Sequence, residues 1–194
     1  MDLFTALHTR RSIRRYTDQP VPSDLIDQLL EAATRAPSSH NRQPWRFAVI
    51  TNSDVKAQLA DGMGERLRGD RRRAADRVAE IERDVARSRE RITAAPVVIV
   101  ACLSTINLDD HHERLMALQS VAAAIQSLLL AAHGAGLSAC WMAAPLYCPD
   151  VVRAVLHLPD DWEAQALITI GYPKGADEGK DRGRIDFREI TIWR

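Results

Sequence analysis

The sequence predicts a mixed α/β chain of the α+β kind, with a small central β-sheet flanked by helices. Three observations carry this prediction. Val97–Leu103 is an unbroken apolar run of strand length, as expected of a strand buried on both faces. Between Val121 and Ala132 the segment Asp110–His133 is apolar nearly all round, the pattern of a central buried helix. Shorter strand-like and helix-like segments alternate around these two, which implies layers packed on one sheet.

Leu3, Phe4 and Leu7 give a short amphipathic helix that packs on a neighbour. Gln19–Ser23 is a breaker, with Ser23 as N-cap of the next helix. That helix runs to about Arg35, with Leu25, Ile26, Leu29, Leu30 and Ala33 on one face, and Pro37 stops it. Trp45–Thr51 is a strand, and Asn52-Ser53 opens another helix. Gly62, Gly64 and Gly69 weaken the helical pattern between Asp61 and Asp70. Arg71–Arg91 holds eight arginines, with acids at helical offsets such as Glu80 with Arg83 and Asp84 with Arg87. A narrow stripe of Ala75, Val78, Ile81, Val85 and Ile92 makes it a long, largely solvated helix, or an arm that offers arginines to an anionic substrate.

After the buried strand, Asn107–Asp110 opens the central helix, whose core is Leu115, Leu118, Val121, Ile125, Leu128, Leu129 and Ala132. Gly134 and Gly136 end it. Leu137–Met142 is a strand, Pro149–Leu156 a short helix, Leu158–Trp162 a loop, and Ala166–Ile170 a strand closed by Gly171-Tyr172-Pro173. Lys174–Gly183 is a polar connector, and Phe187–Trp193 alternates as a terminal strand. Residues 1–194 read as a single domain with a charged helical excursion at about 62–94.

Composition removes several functions. With 26 basic and 26 acidic side chains the net charge is zero, so bulk charge recruits no nucleic acid. No 18-residue stretch is apolar without interruption, and no apolar signal core opens the chain. A cytoplasmic protein with no membrane partner is therefore expected, with Cys102, Cys140 and Cys148 as buried reduced thiols. The six histidines lack zinc-motif spacing, so no metal is expected. There is no Gly-x-Ser-x-Gly elbow, no Walker loop and no strand–Gly-x-Gly-x-x-Gly–helix unit. No catalytic side chain is evident, and the visible chemistry is binding chemistry, which suits a cofactor that performs the difficult step.

That binding chemistry concentrates between Thr9 and Phe47. Arg10, Arg11, Arg14 and Arg15 surround Ser12, a composition suited to phosphate because guanidinium groups make forked, charge-assisted bonds to its oxygens. After the helix comes Ala36-Pro37-Ser38-Ser39-His40-Asn41-Arg42-Gln43-Pro44-Trp45, whose hydroxyl and amide groups can read the edge of a flat polar ring. The two halves, in this order and spacing, resemble the nitroreductase family of FMN-dependent oxidoreductases. Leu118–Gln126, Gly136–Met142 and Gly171-Tyr172-Pro173 also look like that family.

The resemblance implies a nitroreductase-like fold and an FMN-dependent NAD(P)H oxidoreductase acting on a nitroaromatic, quinone or related conjugated acceptor. It implies a homodimer with FMN at the interface and the C-terminal strand exchanged with the partner. Carried over by position, Arg10, Arg11, Ser12 and Arg14 hold the phosphate and ribityl chain, and Arg182 and Arg184 close on the phosphate. Pro37, Ser38, Ser39 and Asn41 reach the flavin of the other subunit. Ala143 and Ala144 stand where many relatives have Gly-Gly or Glu-Gly beside flavin N5; a backbone amide there needs no side chain, but the acidic group is gone. Gln119 and Gln126 either approach the flavin or sit as satisfied core amides. Tyr147–Trp162 is similar to the FMN domain of coenzyme F-420 gamma-glutamyl ligases, which implies an alternative role in reducing a dehydro deazaflavin precursor. Two other readings are a flavin-destroying synthase of the cobalamin lower base and a non-catalytic flavin-binding protein.

Overall fold

The Val97–Leu103 run becomes the strand against which the other elements are laid. The computed structural model describes residues 1–74, 76–108, 110–175 and 183–194. Its elements are α1 (Leu3–Thr9), α2 (Ser23–Thr34), β1 (Trp45–Ile50), α3 (Ser53–Arg73), α4 (Val78–Thr93), β2 (Val97–Ser104), α5 (His111–Gly134), β3 (Ser138–Met142), α6 (Pro149–Leu156) and β4 (Trp162–Gly171). Short 3-10 turns lie at Ser39–Asn41, Ala144–Tyr147 and Phe187–Ile190. The strands form one antiparallel sheet in the order β1-β2-β4-β3.

All eight residues of β2 are buried. Side chains alternate across a strand, so Val97, Ile99, Ala101 and Leu103 join the core under α2 and α5, with Leu29, Ala33, Val121, Ile125 and Leu128. Val98, Val100 and Cys102 join the opposite core with Leu59 and Met63 of α3, Ile92 of α4 and Val152 of α6. Helices therefore cover both faces, and strand edges are left at β1 and β3. By length and hydropathy α5 could cross a membrane, but Ala117, Val121, Ala124, Ile125, Leu128 and Ala132 are core residues of this fold.

Several expectations change. Gly62 and Gly64 do not break α3. A Cβ on Gly62 would lie 3.0 Å from Val151 of α6, and one on Gly64 3.0 Å from Val85 of α4. The missing side chains let three helices close together, which offsets the propensity cost of about 1 kcal/mol each. The arginine-rich segment is two helices, not one: α3 ends at Arg73 and α4 returns antiparallel to bury Ile81, Val85 and Ile92. Val78 is exposed, and Ala75 and Asp109 lie outside the described residues. Ser23 is the first residue of α2 and not its cap, because Pro22 takes that position. Leu115 is exposed, while Gly134 is still helical and Gly136 carries the left-handed φ of +76°.

β4 begins at Trp162, four residues before the predicted start. A register shift leaves Gln165 between the partners of Ala101 and Cys102, and this bulge breaks the apolar pattern. The tail is not a strand. Phe187–Ile190 is a 3-10 turn, and residues 191–194 have no regular structure. An extended segment needs a neighbour for its backbone groups, and the tail pairs with no strand among the described residues. Its Phe187, Ile190, Ile192 and Trp193 are exposed.

Gly171 is the tightest point. An added Cβ would meet Pro96 Cδ at 2.6 Å and Tyr16 Cβ at 3.0 Å. Overpacking of this kind costs about 2 kcal/mol. Gly171→Ala should therefore lower the thermal midpoint by about 4–8 °C, measured by circular dichroism; an unshifted midpoint would refute the close approach.

Candidate functional site: a cationic sheet edge

The arginine segment leaves α1 in an extended conformation at Arg10 (φ −57°, ψ 130°). Ser12 then pairs in parallel with Ala139 of β3, and Tyr16 bridges to Pro173. Tyr16 anchors this run. Its Oη lies 2.8 Å from Ile13 O and 2.8 Å from Thr169 Oγ1. Burial raises its pKa, so it stays a neutral phenol. Thr17 N–H donates to Tyr172 O, and Lys174 N–H donates to Arg15 O. These contacts lay residues 12–17 along the edge of the sheet.

Cationic groups converge there. Burial lowers the Arg10 pKa, and neighbouring Arg184 and Arg11 push it further down. Leu7, His8, Arg11, Gly183 and Arg184 line a cleft of about 300 Å³. Arg10, Arg14 and Arg184 form no ion pair with any described carboxylate. His133, at the end of α5, lies 2.8 Å from Thr9 Oγ1 through Nε2. Burial and then Arg10 and Arg11 hold it below the usual histidine range.

Arg14 lies beside Cys140, and Arg91 of α4 joins them. Burial, then repulsion from Arg14, lowers the Arg91 pKa. Sequence reasoning did not single out Arg91, since it is one arginine in a crowd. The fold pairs most of its neighbours, Arg66 with Asp150, Arg68 with Glu82, Arg71 and Arg87 with Asp84, Arg73 with Asp70, and Arg89 with Asp61, and leaves Arg77 and Arg83 exposed whereas Arg91 is half-buried. Arg91 has no such carboxylate among the described residues.

Ser12 pairs with Ala139, and Ala143 lies four residues further along the same edge, about 13 Å at strand rise. Ala144 opens the following 3-10 turn, in which Leu146 and Tyr147 are exposed. The edge is thus cationic at one end and apolar at the other. Arg182 lies outside the described residues.

Pro37, Ser38, Ser39 and Asn41 are elsewhere. Their loop takes left-handed φ values at His40 (51°), Asn41 (55°) and Gln43 (48°), a strained shape that its surroundings must hold. Ser39 N–H donates to Ser120 Oγ (3.2 Å), and Gln43 N–H donates to Ser38 Oγ (3.1 Å). Arg42 forms a forked ion pair with Glu113 in the first turn of α5, which lowers the Glu113 pKa. The loop thus sits at Ser120 while Arg10 sits near His133. Thirteen residues of helix separate them, about 20 Å. Within one chain the two predicted halves do not meet. Gln119 and Gln126 are exposed on α5, so they are not core amides.

This geometry defines an α+β protein with a cationic, ligand-sized sheet edge. The nitroreductase family model matches residues 7–172. An NADH dehydrogenase of Thermus thermophilus is 31% identical, over 100% of this chain and 97% of its own length. Among solved structures, a BluB-like flavoprotein of Clostridium difficile 630 superposes with a TM-score of 0.85 at 24% identity, covering 100% of this chain and 99% of that one. A protein of Desulfovibrio desulfuricans solved in complex with FMN gives 0.75 at 27% identity, covering 98% and 95%. The chain belongs to the nitroreductase family.

His133 gives a pH test. Its folded pKa lies below the unfolded value near 6.5. Between the two, the unfolded chain binds the extra proton, so stability falls as pH drops below about 6.5. Melting of the ligand-free protein from pH 7.5 to 5.5 should show this slope, and His133→Asn should flatten it. An equal slope in both proteins would exclude His133 as its source.

Proposed function

We propose that this chain is an FMN-dependent NAD(P)H oxidoreductase acting as a homodimer on a nitroaromatic, quinone or related conjugated acceptor. The observation that carries the reading is the gathering of Arg10, Arg14, Arg91 and Arg184 at the edge of β3, where none of them forms an ion pair with a described carboxylate. Like charges that repel one another in a partly buried site call for an anion. Family membership, the FMN-bound relative and the NADH dehydrogenase relative support the choice of ligands. The chemistry that FMN supplies when bound is acceptance and return of hydride at N5.

Each residue then has a task. Arg10, Arg11, Arg184 and Arg182 hold the phosphate, and Ser12 offers a hydroxyl beside them. Arg14 and Arg91 lie further along the edge and offset negative charge on the reduced ring by fixed electrostatics. The backbone amides of Ala143 and Ala144 stand at the apolar end and serve N5. Pro37, Ser38, Ser39 and Asn41 act from the second chain, which their separation of about 20 Å from the arginines favours. Exposed Leu3, Phe4 and Leu7 on α1, together with the exposed tail, supply apolar surface for that contact.

We read residues 1–194 as one FMN-binding domain, with 62–94 as its excursion. The reading places it in the cytoplasm, in keeping with three buried free thiols. Burial raises the Cys102 pKa to about 12 and the Cys148 pKa to about 11. The mutual pairing of the hairpin arginines with acids counts against a polyanionic deazaflavin as substrate.

The purified protein should be yellow and should bleach on anaerobic addition of NADH or NADPH. A colourless protein that takes up no added FMN refutes the assignment. Oxygen consumption with permanent loss of flavin colour would instead identify a flavin-destroying enzyme. Arg14→Ala and Arg91→Ala should each weaken FMN retention by about ten- to a hundredfold, the value of one charge-assisted hydrogen bond. Fluorescence titration measures this, and unaltered affinity in Arg91→Ala removes it from the site.

A further inference from the structure

Behind the strained 38–43 loop lies a second cleft, of about 320 Å³, bounded by that loop, the start of β1, the segment after β2 and the first turns of α5. Ile106, Leu108 and Met116 give it apolar walls. Its charged lining is Arg42, Glu113 and Arg46. Arg42 and Glu113 neutralise each other in their fork. Arg46 differs: its Nη1 donates to Gln43 O (3.2 Å) and Trp45 O (2.8 Å), and it makes no ion pair with a described carboxylate. The Ser104 hydroxyl in the wall donates to Asp161 Oδ2 at 3.2 Å. One guanidinium with no ion pair to a described carboxylate therefore remains to meet a ligand, and Asn107 adds an amide to the lining.

We propose that this cleft binds the acceptor, and that it selects single-ring aromatic acceptors carrying a carboxylate. Arg46 receives the carboxylate, and Ile106, Leu108 and Met116 cover the ring. The volume sits at the small end of ligand pockets, which span about 300–1,000 Å³, so one substituted ring fits better than a fused polycycle. A forked carboxylate contact is the geometry a guanidinium provides best. The inference rests on the flavin reading above, because Ser39 lines the cleft and belongs to the loop assigned to the partner's flavin.

Two measurements test it on the FMN-loaded protein. The first is the ratio of kcat/KM for 4-nitrobenzoate to that for nitrobenzene. The ratio should favour the carboxylate in the wild type, fall at least tenfold in Arg46→Gln, and fall less in Arg46→Lys, which keeps the charge and loses the fork. The second is equilibrium dialysis of benzoate, which reads the cleft without turnover and also in protein that has lost its flavin. Benzoate should bind at least tenfold more weakly to Arg46→Gln, with its melting profile confirming that the variant is folded. Equal ratios in wild type and Arg46→Gln, or equal benzoate affinity, overturn the proposal. Failure to hold FMN or to bleach with a nicotinamide is a failure of the flavin reading, and the dialysis still decides the cleft.

Discussion

Burial of β2 on both faces is the constraint on which the rest of the structure depends. Eight consecutive buried residues need a helical layer on each side and a strand on each edge. α2 and α5 cover one face; α3, α4 and α6 cover the other. The polar chemistry is then excluded from both faces, since a buried unpaired charge is costly. It gathers at the rims of the sheet, and the two halves of the sequence motif occupy opposite rims.

The arginines illustrate how tertiary structure sorts identical side chains. In the α3–α4 hairpin Arg68, Arg71 and Arg89 tie the two helices together, each in an ion pair with an acid of the other helix or of the turn. Exposed pairs of this kind contribute little stability singly. At the β3 edge the same residue type is crowded and partly buried, and Arg10, Arg14, Arg91 and Arg184 make no ion pair with a described carboxylate; the crowding shows in the lowered pKa values of Arg10 and Arg91. Such crowding is a cost to folding, because like charges repel one another in a partly buried site. Tyr16 and the Ser12–Ala139 bridge hold the backbone in place against that repulsion.

The loop at Ser38–Gln43 presents the complementary case. Three non-glycine residues in left-handed conformation are held by Ser120, by Glu113 through Arg42, and by Ser38 within the loop. A shape maintained at such cost is preorganised, and it lies about 20 Å along α5 from the chain's own arginine cluster. The exposed apolar residues of α1 and the tail lend the same logic to the molecule as a whole. Leu3, Phe4 and Leu7 of α1 and Phe187, Ile190, Ile192 and Trp193 of the tail leave apolar surface uncovered within one chain.

By itself the sequence determined what periodicity and motif chemistry encode locally. The apolar run named β2, the all-round apolar segment named α5, and the paired arginine and Ser-Ser-His-Asn motifs named the family and its cofactor. Tertiary structure decided what depends on neighbours distant in sequence. Gly62 and Gly64 read as helix breakers until Val151 and Val85 are seen against them. The start of β4 was hidden by a bulge at Gln165, and the tail alternates like a strand but has no partner among the described residues to make it one. Arg91 could not be told from its neighbours, because only folding brings it beside Arg14 and Cys140 while matching most of the others with acids. The separation of the two motif halves by about 20 Å is likewise a property of where α5 begins and ends, which spacing along the chain does not carry.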